Sequence, residues 1–307
     1  MTLAPGLTVA ALTGAMLAAM PQAAAAQALD DTPRIAVMSA FQPEWTALLA
    51  GTAGQHEHEV NGVRFVTGEI AGQDVVLFLS GVSMVNAAMT TQLALDHFAV
   101  TGIVFSGIAG GVNPALPIGD VVVPAEWSQY LEAVFARETP EGMAIPPWME
   151  GSDLAPFGMI FPQAVEVTSA RQDGIEPRVW FPVDPGYLDA AREVAAALTL
   201  EPCAPDGTCL SKPPGIVVGG RGVSGQAFVD NAAFREWAHA TFEAQVLDME
   251  SAAVAHVAYA NEVPFIAFRS LSDLAGGGEG ANEMTTFMGV AAANSAAVVT
   301  AFLDALN

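Results

Sequence analysis

The sequence contains few basic residues. Lys and Arg together number 10 against 33 Asp and Glu, so the formal net charge at neutral pH is -23. A surface this acidic repels the phosphates of nucleic acids and the headgroups of anionic lipids. The composition therefore excludes nucleic acid as a partner and predicts a small ligand that is neutral or cationic.

Cysteine is scarcer still, with only Cys203 and Cys209 in 307 residues. No second pair of Cys or His lies at the spacing of a zinc site, and residues 56–58 (His-Glu-His) are expected to be a solvated surface turn. The two cysteines flank a Pro-Asp-Gly turn. In an exported chain such a close pair indicates a local disulfide, with zinc as the weaker interpretation. We expect no bound metal.

Long apolar segments are rare as well. One lies at residues 7–20 and is followed by small residues through Ala28, a pattern typical of an export signal. We therefore expect a signal peptide at residues 1–28, a mature chain of residues 29–307 and a periplasmic or secreted location. We expect no later segment to supply the ~20 apolar residues of a transmembrane helix, and hence no stable membrane insertion after signal cleavage.

Apolar strands and helical segments alternate along the mature chain, and 52% of all residues are hydrophobic. This alternation predicts one α/β domain with helices on both faces of a sheet. Strands are predicted at residues 34–39, 62–68, 74–80, 102–106, 120–124, 215–220, 245–249 and 264–270, and helices at residues 41–50, 84–98, 185–199, 231–242, 251–261 and 281–306.

A proline-rich segment at about residues 139–182 interrupts the alternation with clusters such as Pro146-Pro147-Trp148. A long ordered excursion of this kind can cover a pocket as a lid. The alternative is an inert surface loop packed by its own aromatic residues. Both interpretations stay open at the level of sequence.

Glycines cluster at residues 107–111, directly after a predicted buried strand. We interpret this segment, which includes Ile108 and Gly110, as a turn whose backbone N–H groups can approach a ligand closely. Its spacing does not match G-x-G-x-x-G, and the Lys-Ser or Lys-Thr of a P-loop is absent. We therefore expect no dinucleotide or nucleotide cofactor.

Two carboxylates, Glu250 and Asp273, fall at the ends of predicted core elements, where they could grip a ligand from two sides. Each also has a structural explanation. Glu250 would stabilise a helix N-terminus through the helix dipole, and Ser272-Asp273 would form an N-cap or a loop turn.

Five segments, in order, resemble the successive motifs of the nucleoside phosphorylase superfamily, most closely its 5′-methylthioadenosine/S-adenosylhomocysteine nucleosidase branch. The similarity runs from about residue 34 to the C-terminus, and the segment around Phe228 also resembles the plant bark and vegetative storage proteins. The resemblance implies a single-domain three-layer α/β/α sandwich with a central mixed sheet. The segments are IAVMSAFQPE (35–44), SGIAGG (106–111) with GDVVVP (119–124), GQAFV (225–229), DMES (248–251) and RSLSDLA (269–275).

The resemblance implies a purine nucleoside as the substrate and assigns roles around its base. Asp273 would protonate N7 of the departing base, because a purine leaves far better once N7 is protonated. Ser272 would be its base-site partner. Phe228 would stack on the base, and Val229 would meet the edge of the base through the backbone.

At the sugar, the resemblance implies that Glu250 holds the ribose 2′ and 3′ hydroxyls while Met249 lies against the ring. Glu44 corresponds to the carboxylate that activates the attacking water, and Arg269 would help to place that water. One carboxyl group acting as acid while another holds the nucleophile resembles glycoside hydrolysis.

The nucleophile can be argued from charge. A phosphorylase must bind phosphate, and that family supplies Arg near the first strand and before the glycine-rich segment. Here the corresponding residues 39–44 and 104–106 contain no Lys or Arg and include Glu44, whose charge would repel phosphate. Water is therefore the expected nucleophile. A phosphorylase and a non-catalytic nucleoside-binding or storage-like protein are the alternatives.

Two departures from the family pattern leave the base and the 5′ substituent open. Ile108 stands where the bacterial nucleosidases usually have Ser, and Gly276 stands where they usually have a second Asp. The resemblance also implies a homodimer whose partner closes the 5′ end of the site, with the apolar helix at residues 84–98 as the candidate surface.

Overall fold

The computed structural model describes residues 28–149, 151–204 and 207–307. The predicted signal peptide, residues 1–28, lies outside the described residues except for its last position. Within the described residues the order of strands and helices follows the alternation expected from the sequence. Strands that were not predicted lie at residues 53–60 and 221–224 and, as several short ones, between residues 126 and 182.

The described strands, in chain order, are β1 (Asp30–Ser39), β2 (Ala53–Val60), β3 (Val63–Ile70), β4 (Gln73–Leu79), β5 (Phe98–Gly111), β6 (Val121–Val123), β7 (Glu126–Gln129), β8 (Ala133–Phe135), β9 (Arg137–Thr139), β10 (Gly142–Ala144), β11 (Ile160–Pro162), β12 (Val165–Ser169), β13 (Gln172–Arg178), β14 (Phe181–Pro182), β15 (Ile216–Val218), β16 (Arg221–Ser224), β17 (Ala244–Asp248) and β18 (Phe265–Asp273). The described helices are α1 (Gln42–Ala50), α2 (Met84–His97), α3 (Pro185–Ala197), α4 (Ala232–Phe242), α5 (Ser251–Ala260) and α6 (Met284–Ala305).

A mixed sheet forms the centre of the protein. Its order is β14-β7-β16-β17-β5-β1-β4-β3-β2, and β18 joins it by pairing with both β5 and β6. β1 runs parallel to β4 and β5, whereas β17 runs antiparallel to β5, and β3 runs antiparallel to β2 and β4. The inner strands are buried on both faces, which explains why they appear as continuous apolar runs in the sequence.

Helices form a layer on each side of this sheet. α6 packs against β5 and β18 and also contacts α1 and α3, while α2 and α5 pack against each other. The expected three-layer α/β/α sandwich is therefore confirmed. The expectation that no later segment is long and apolar enough to span a membrane was wrong, because α6 meets both conditions. However, 56% of the most apolar 18-residue stretch of α6 is buried inside the protein, as in a core helix.

The prediction of a turn at residues 107–111 was also wrong, because these residues continue strand β5. Gly107 pairs with Arg269 of β18, and Gly111 pairs with Val246 of β17. A Cβ at Gly107 would collide with Nη1 of Arg269, so glycine is needed there to let that side chain pass. The glycines in this part of β5 therefore allow side chains of neighbouring segments to lie close to the strand backbone.

Residues 56–58 are likewise part of a strand, the sheet-edge strand β2, and not a turn. Strand pairing with β3 was not apparent from their polar sequence. Cys203 and Cys209 form the predicted disulfide, with their Cα atoms 4.0 Å apart. Among the described residues, no group of three or more His, Cys, Asp or Glu side chains is arranged to hold a metal ion.

Candidate active site

The ends of β5, β17 and β18 meet at one edge of the sheet and surround a cavity of about 350 Å³. All of the predicted site residues except Arg269 line this cavity. These are Glu44, Ile108, Gly110, Phe228, Val229, Met249, Glu250, Ser272 and Asp273. The fold thus brings Glu44 and Asp273, which are 229 positions apart in the sequence, to one site.

Glu44 lies in the first turn of α1 and is only 1% exposed. Its Oε2 accepts hydrogen bonds from the backbone N–H of Ala40 at 2.7 Å and of Phe41 at 3.3 Å, and its Oε1 accepts one from Ile108 at 2.9 Å. Burial raises the pKa of Glu44, although the charge of Arg269 and the three N–H donors oppose this rise. A carboxylate in this setting is suited to accept a proton.

Arg269 lies behind the cavity wall and is completely buried. Its Nε donates to Oδ2 of Asp248 at 2.7 Å and to Oγ of Ser251 at 2.9 Å. Its Nη2 lies 3.6 Å from Oε2 of Glu250, and neither Nη1 nor Nη2 has a hydrogen-bond acceptor among the described residues. Nη1 lies close to Gly107, and the charge of Arg269 acts on the carboxylates of both Glu44 and Glu250.

Asp248 holds Arg269 in this orientation, a role that no sequence pattern indicated. Its carboxylate accepts hydrogen bonds from the hydroxyls of Ser224 and Ser251, and from the backbone N–H of Glu250 at 3.3 Å and of Ser251 at 3.2 Å. Removing one partner of a buried ion pair costs about 3–5 kcal/mol, because the other charge is left unpaired. Asp248 therefore contributes to stability as well as to the geometry of the site.

Glu250 is the residue that precedes α5, and its side chain makes no cap hydrogen bond to that helix. Oε1 instead accepts the backbone N–H of Ser83 at 2.8 Å, from the start of α2. Burial raises the pKa of Glu250 to about 7; the charge of Arg269 opposes this rise, and the charges of Asp248 and Glu44 add to it. Its second oxygen faces Arg269 along the cavity wall.

Asp273 is the last residue of β18 and is 3% exposed. Its Oδ2 accepts a hydrogen bond from Oγ of Ser272 at 2.9 Å, and its Oδ1 accepts one from the backbone N–H of Ala275 at 2.8 Å. Ser272 and Asp273 are thus strand residues and not a loop turn; Asp273 caps the turn that follows the strand, and the same carboxyl group also lines the cavity. These two roles of the carboxyl group do not exclude one another.

Apolar side chains form most of the remaining wall. Phe228 stands at the rim and is 55% exposed, so much of its surface can meet a ligand. Phe41, Val82 and Met284 also line the cavity. Val82 and Met284 lie outside the five motif segments, so only the tertiary structure reveals them, whereas Phe41 lies in the segment at residues 35–44 but was not singled out as a site residue. Among the described residues, no Lys or Arg lines this cavity.

The proline-rich segment lies elsewhere. None of its described residues between 139 and 182 lines the cavity. Its Phe157 packs against Phe234 and Trp237 of α4, and Nε1 of Trp237 donates a hydrogen bond to the backbone oxygen of Ala155 at 2.8 Å. These contacts favour the interpretation of this segment as a surface loop that packs through its aromatic residues.

Comparisons with known proteins agree with this architecture. A family model described as the phosphorylase superfamily matches residues 34–304. A 5′-methylthioadenosine/S-adenosylhomocysteine nucleosidase from Mycobacterium bovis is 28% identical over 275 residues, which cover 89% of this chain and 98% of that relative.

Solved structures are similar over the same range. The 5′-methylthioadenosine/S-adenosylhomocysteine nucleosidase from Neisseria meningitidis, in complex with methylthio-immucillin-A, has a TM-score of 0.66 and 25% identity, covering 88% of this chain and 98% of that chain. The futalosine hydrolase of Helicobacter pylori has a TM-score of 0.66 and 22% identity over 89% of this chain and 97% of that chain, which shows a shared fold.

Proposed function

The chain belongs to the phosphorylase superfamily, and from that premise we propose that it is a nucleosidase that hydrolyses the N-glycosidic bond of a purine nucleoside to free base and a ribose moiety. One observation carries the proposal: two buried carboxylates, Glu44 and Asp273, line one cavity that no Lys or Arg lines among the described residues. Such a cavity supports acid and base chemistry with water and disfavours phosphate.

In the proposed reaction Asp273 gives its proton to N7 of the base while the bond between C1′ and N9 breaks. The electron pair of that bond goes to the base, which leaves as a neutral purine. The positive charge that develops on the sugar is then met by water. Ser272, at 2.9 Å from Oδ2, keeps the carboxyl group of Asp273 in place.

Glu44 and Arg269 are proposed to supply the nucleophile. In the proposed arrangement a water between Glu44 and Glu250 donates one hydrogen to Glu44, and its oxygen accepts from an Nη group of Arg269, neither of which has an acceptor among the described residues. The water oxygen bonds to C1′, and Glu44 takes the released proton. Exchange with solvent returns one proton to Asp273 and removes one from Glu44, so the net reaction consumes one water.

Glu250 is proposed to accept the ribose 2′ and 3′ hydroxyls, with Met249 against the sugar. Phe228 would stack on the base, and Val229, next to it at the rim, would meet the base edge through its backbone. Ile108 and Gly110, on β5, line the same cavity and would form the wall between the sugar and the base. No cofactor takes part in these steps.

The substrate class we propose is a methylthioadenosine, S-adenosylhomocysteine or adenosine type nucleoside. Nucleosidases named for the first two are similar over nearly the whole chain. Phe41, Val82 and Met284 offer an apolar wall that suits the thioether of a 5′ methylthio or homocysteinyl substituent. A nucleotide is disfavoured, because its 5′ phosphate would lose water against this apolar wall and no Lys or Arg among the described lining residues could pair with it.

A nucleoside panel tests this proposal. The purified protein is incubated with methylthioadenosine, S-adenosylhomocysteine, adenosine and inosine, each with and without phosphate, and free base is measured by chromatography. Base release without phosphate supports a hydrolase. An absolute phosphate requirement would identify a phosphorylase instead, and tight binding without base release would identify a binding or storage-like protein.

We predict that nucleoside affinity weakens as the pH falls below about 7. The pKa of Glu250 is raised to about 7, so the acceptor form is present above that pH and is lost as the carboxyl group protonates below it. Its ionised fraction falls about tenfold for each pH unit below the pKa. Calorimetric Kd values measured on the Asp273→Asn variant, in which we expect turnover to be too slow to disturb the measurement, should rise accordingly. The Glu250→Gln variant, with Asp273→Asn, is the control, and its weaker binding should not change over this range.

We propose that the protein is a homodimer formed through the start of α2. Val85 and Met89 on this helix are 55% and 65% exposed, and Val82 beside them lines the cavity, so a partner docked there would close one end of the site. Sedimentation at micromolar concentration should give twice the chain mass. Met89→Glu should shift the protein toward monomer, whereas Met143→Glu on the proline-rich segment should not; a monomeric wild type would contradict the proposal.

Export to the periplasm or the medium is the proposed location. The disulfide between Cys203 and Cys209 supports it, because such bonds persist in oxidising compartments. Cell fractionation with N-terminal sequencing of the exported protein would test both the location and a cleavage site near Leu29.

A further inference from the structure

Asn282 lies just before α6, at the end of a glycine-rich loop that follows Asp273. Its amide has a defined orientation because its Oδ1 accepts the backbone N–H of Met284 at 2.9 Å. The NH2 group must therefore point the other way. There it donates to Oδ1 of Asp230 at 3.0 Å and to Oδ1 of Asp273 at 3.4 Å.

These contacts make the two oxygens of Asp273 unequal. Oδ1 accepts hydrogen bonds from two N–H groups, those of Ala275 and Asn282, and N–H groups can only donate. Oδ2 faces Oγ of Ser272, a hydroxyl that can donate or accept and that also lies 3.4 Å from the backbone oxygen of Ala109. A proton on this carboxyl group is therefore accommodated on Oδ2.

We infer that Asn282 is a positioning residue for the acid: its amide occupies Oδ1 of Asp273 and leaves Oδ2 to carry the proton that is transferred to the base. The inference rests on the proposed function, in which Asp273 is the general acid. Asn282 is not among the residues that line the cavity, so we infer no contact between its side chain and the substrate. It acts through Asp273 alone in the proton-transfer step.

The loop around Asn282 is held tightly enough for this role. Gly276 has a φ of +89°, and a Cβ at that position would collide with the backbone of Asp230 and Asn231. The backbone N–H of Asn231 also donates to the oxygen of Ala275 at 3.1 Å. The loop is thus fastened to the segment that follows Phe228, and Asn282 joins the acid to the side of the cavity proposed for the base.

Two variants separate this role from simple support of α6. Asn282→Asp keeps an oxygen that can accept the N–H of Met284, but replaces the NH2 group with an oxygen that faces Asp230 and Asp273. Asn282→Leu removes both functions. Asn113→Asp is the matched control, because Asn113 also accepts the N–H of the residue two positions on, Ala115, and donates through Nδ2, to Gln245.

The first measurement is kcat and KM across pH for the purine nucleoside that is cleaved best. The second is the same constants for 4-nitrophenyl β-D-ribofuranoside, whose leaving group departs as a stable anion without protonation. Both Asn282 variants should lose about tenfold or more in kcat for the nucleoside, because misalignment of a catalytic group by about 1 Å costs up to about 10²-fold. KM for the nucleoside and all constants for the nitrophenyl riboside should change less than about twofold. The shape of the pH profile for the nucleoside should also change.

Wild-type kcat in Asn282→Asp would overturn the inference, because a residue that only supports α6 predicts that result. Equal losses with both leaving groups in Asn282→Leu would overturn it too, since they would indicate a general defect in the site. Thermal unfolding midpoints of all variants identify misfolding. If the wild type releases base from no nucleoside, the proposed function itself has failed, which is distinguishable from either outcome.

Discussion

Replacing Asp273 with Asn is expected to lower kcat for purine-nucleoside hydrolysis by roughly 10³-fold, since a positioned proton donor contributes about 10²–10⁴-fold. The fold should tolerate the change. An Asn carbonyl at the Oδ1 position can still accept the N–H of Ala275 and the amide of Asn282, and an NH2 group at the Oδ2 position can donate to Ser272. What is lost is the transferable proton.

The measurement combines steady-state kinetics with calorimetry. Kd for the nucleoside should stay within about threefold of the wild-type value, and turnover of 4-nitrophenyl β-D-ribofuranoside should be largely kept, because that leaving group needs no proton. Asp184→Asn is a suitable control: Asp184 caps α3 by accepting the N–H of Tyr187, lies away from the cavity, and Asn caps equally well. An Asp273→Asn enzyme with near wild-type kcat for the nucleoside would refute the acid role.

Replacing Glu44 with Gln should lower kcat by about 10²–10³-fold, because the variant cannot take the proton of the attacking water. The structural cost is also definable. Both oxygens of Glu44 accept backbone N–H groups, so the NH2 group of Gln must face either Ile108 or the pair Ala40 and Phe41, where it has no acceptor. We therefore expect a lower unfolding midpoint in addition to the loss of activity.

Azide separates the two effects in Glu44→Gln. Azide is already an anion and needs no base, and its charge suits the Nη donors of Arg269 once Glu44 is neutral. Added azide should restore much of the base release and yield the ribosyl azide, while wild type should gain little. If azide fails to restore turnover in a variant whose unfolding midpoint shows that it is folded, Glu44 is not the residue that activates water.

Continuous apolar strands were predictable because burial on both faces leaves a run of hydrophobic residues. The strand predicted at residues 34–39 is contained in β1, and the helix predicted at residues 251–261 corresponds to α5. The predicted C-terminal boundary of the strand at residues 264–270 was too early, because β18 continues through Ser272 and Asp273. Those two residues are polar yet buried, and a hydrophobic pattern cannot distinguish them from a surface turn.

The glycines at residues 107–111 and the polar edge strand β2 were misjudged for a related reason. Glycine is most common in turns, but here Gly107 is needed because a Cβ would collide with the side chain of Arg269, a residue 162 positions later in the numbering. The polar residues of β2 form a strand because β3 supplies hydrogen-bond partners, not because of their own composition. Neither cause is visible in a local window of sequence.

The amino-acid sequence alone was sufficient to indicate the α/β class, the ordered motifs, the lack of Lys and Arg in residues 39–44 and 104–106, and Glu250 and Asp273 as the carboxylates of interest. These properties are local or compositional. The unequal hydrogen bonds to the two oxygens of Asp273, the pKa of about 7 at Glu250, and the anchoring of Arg269 by Asp248 required the three-dimensional structure. Each depends on burial and on hydrogen bonds between segments that are distant in the chain, as when Ser83 donates to Glu250, and only the packed sheet brings those groups together.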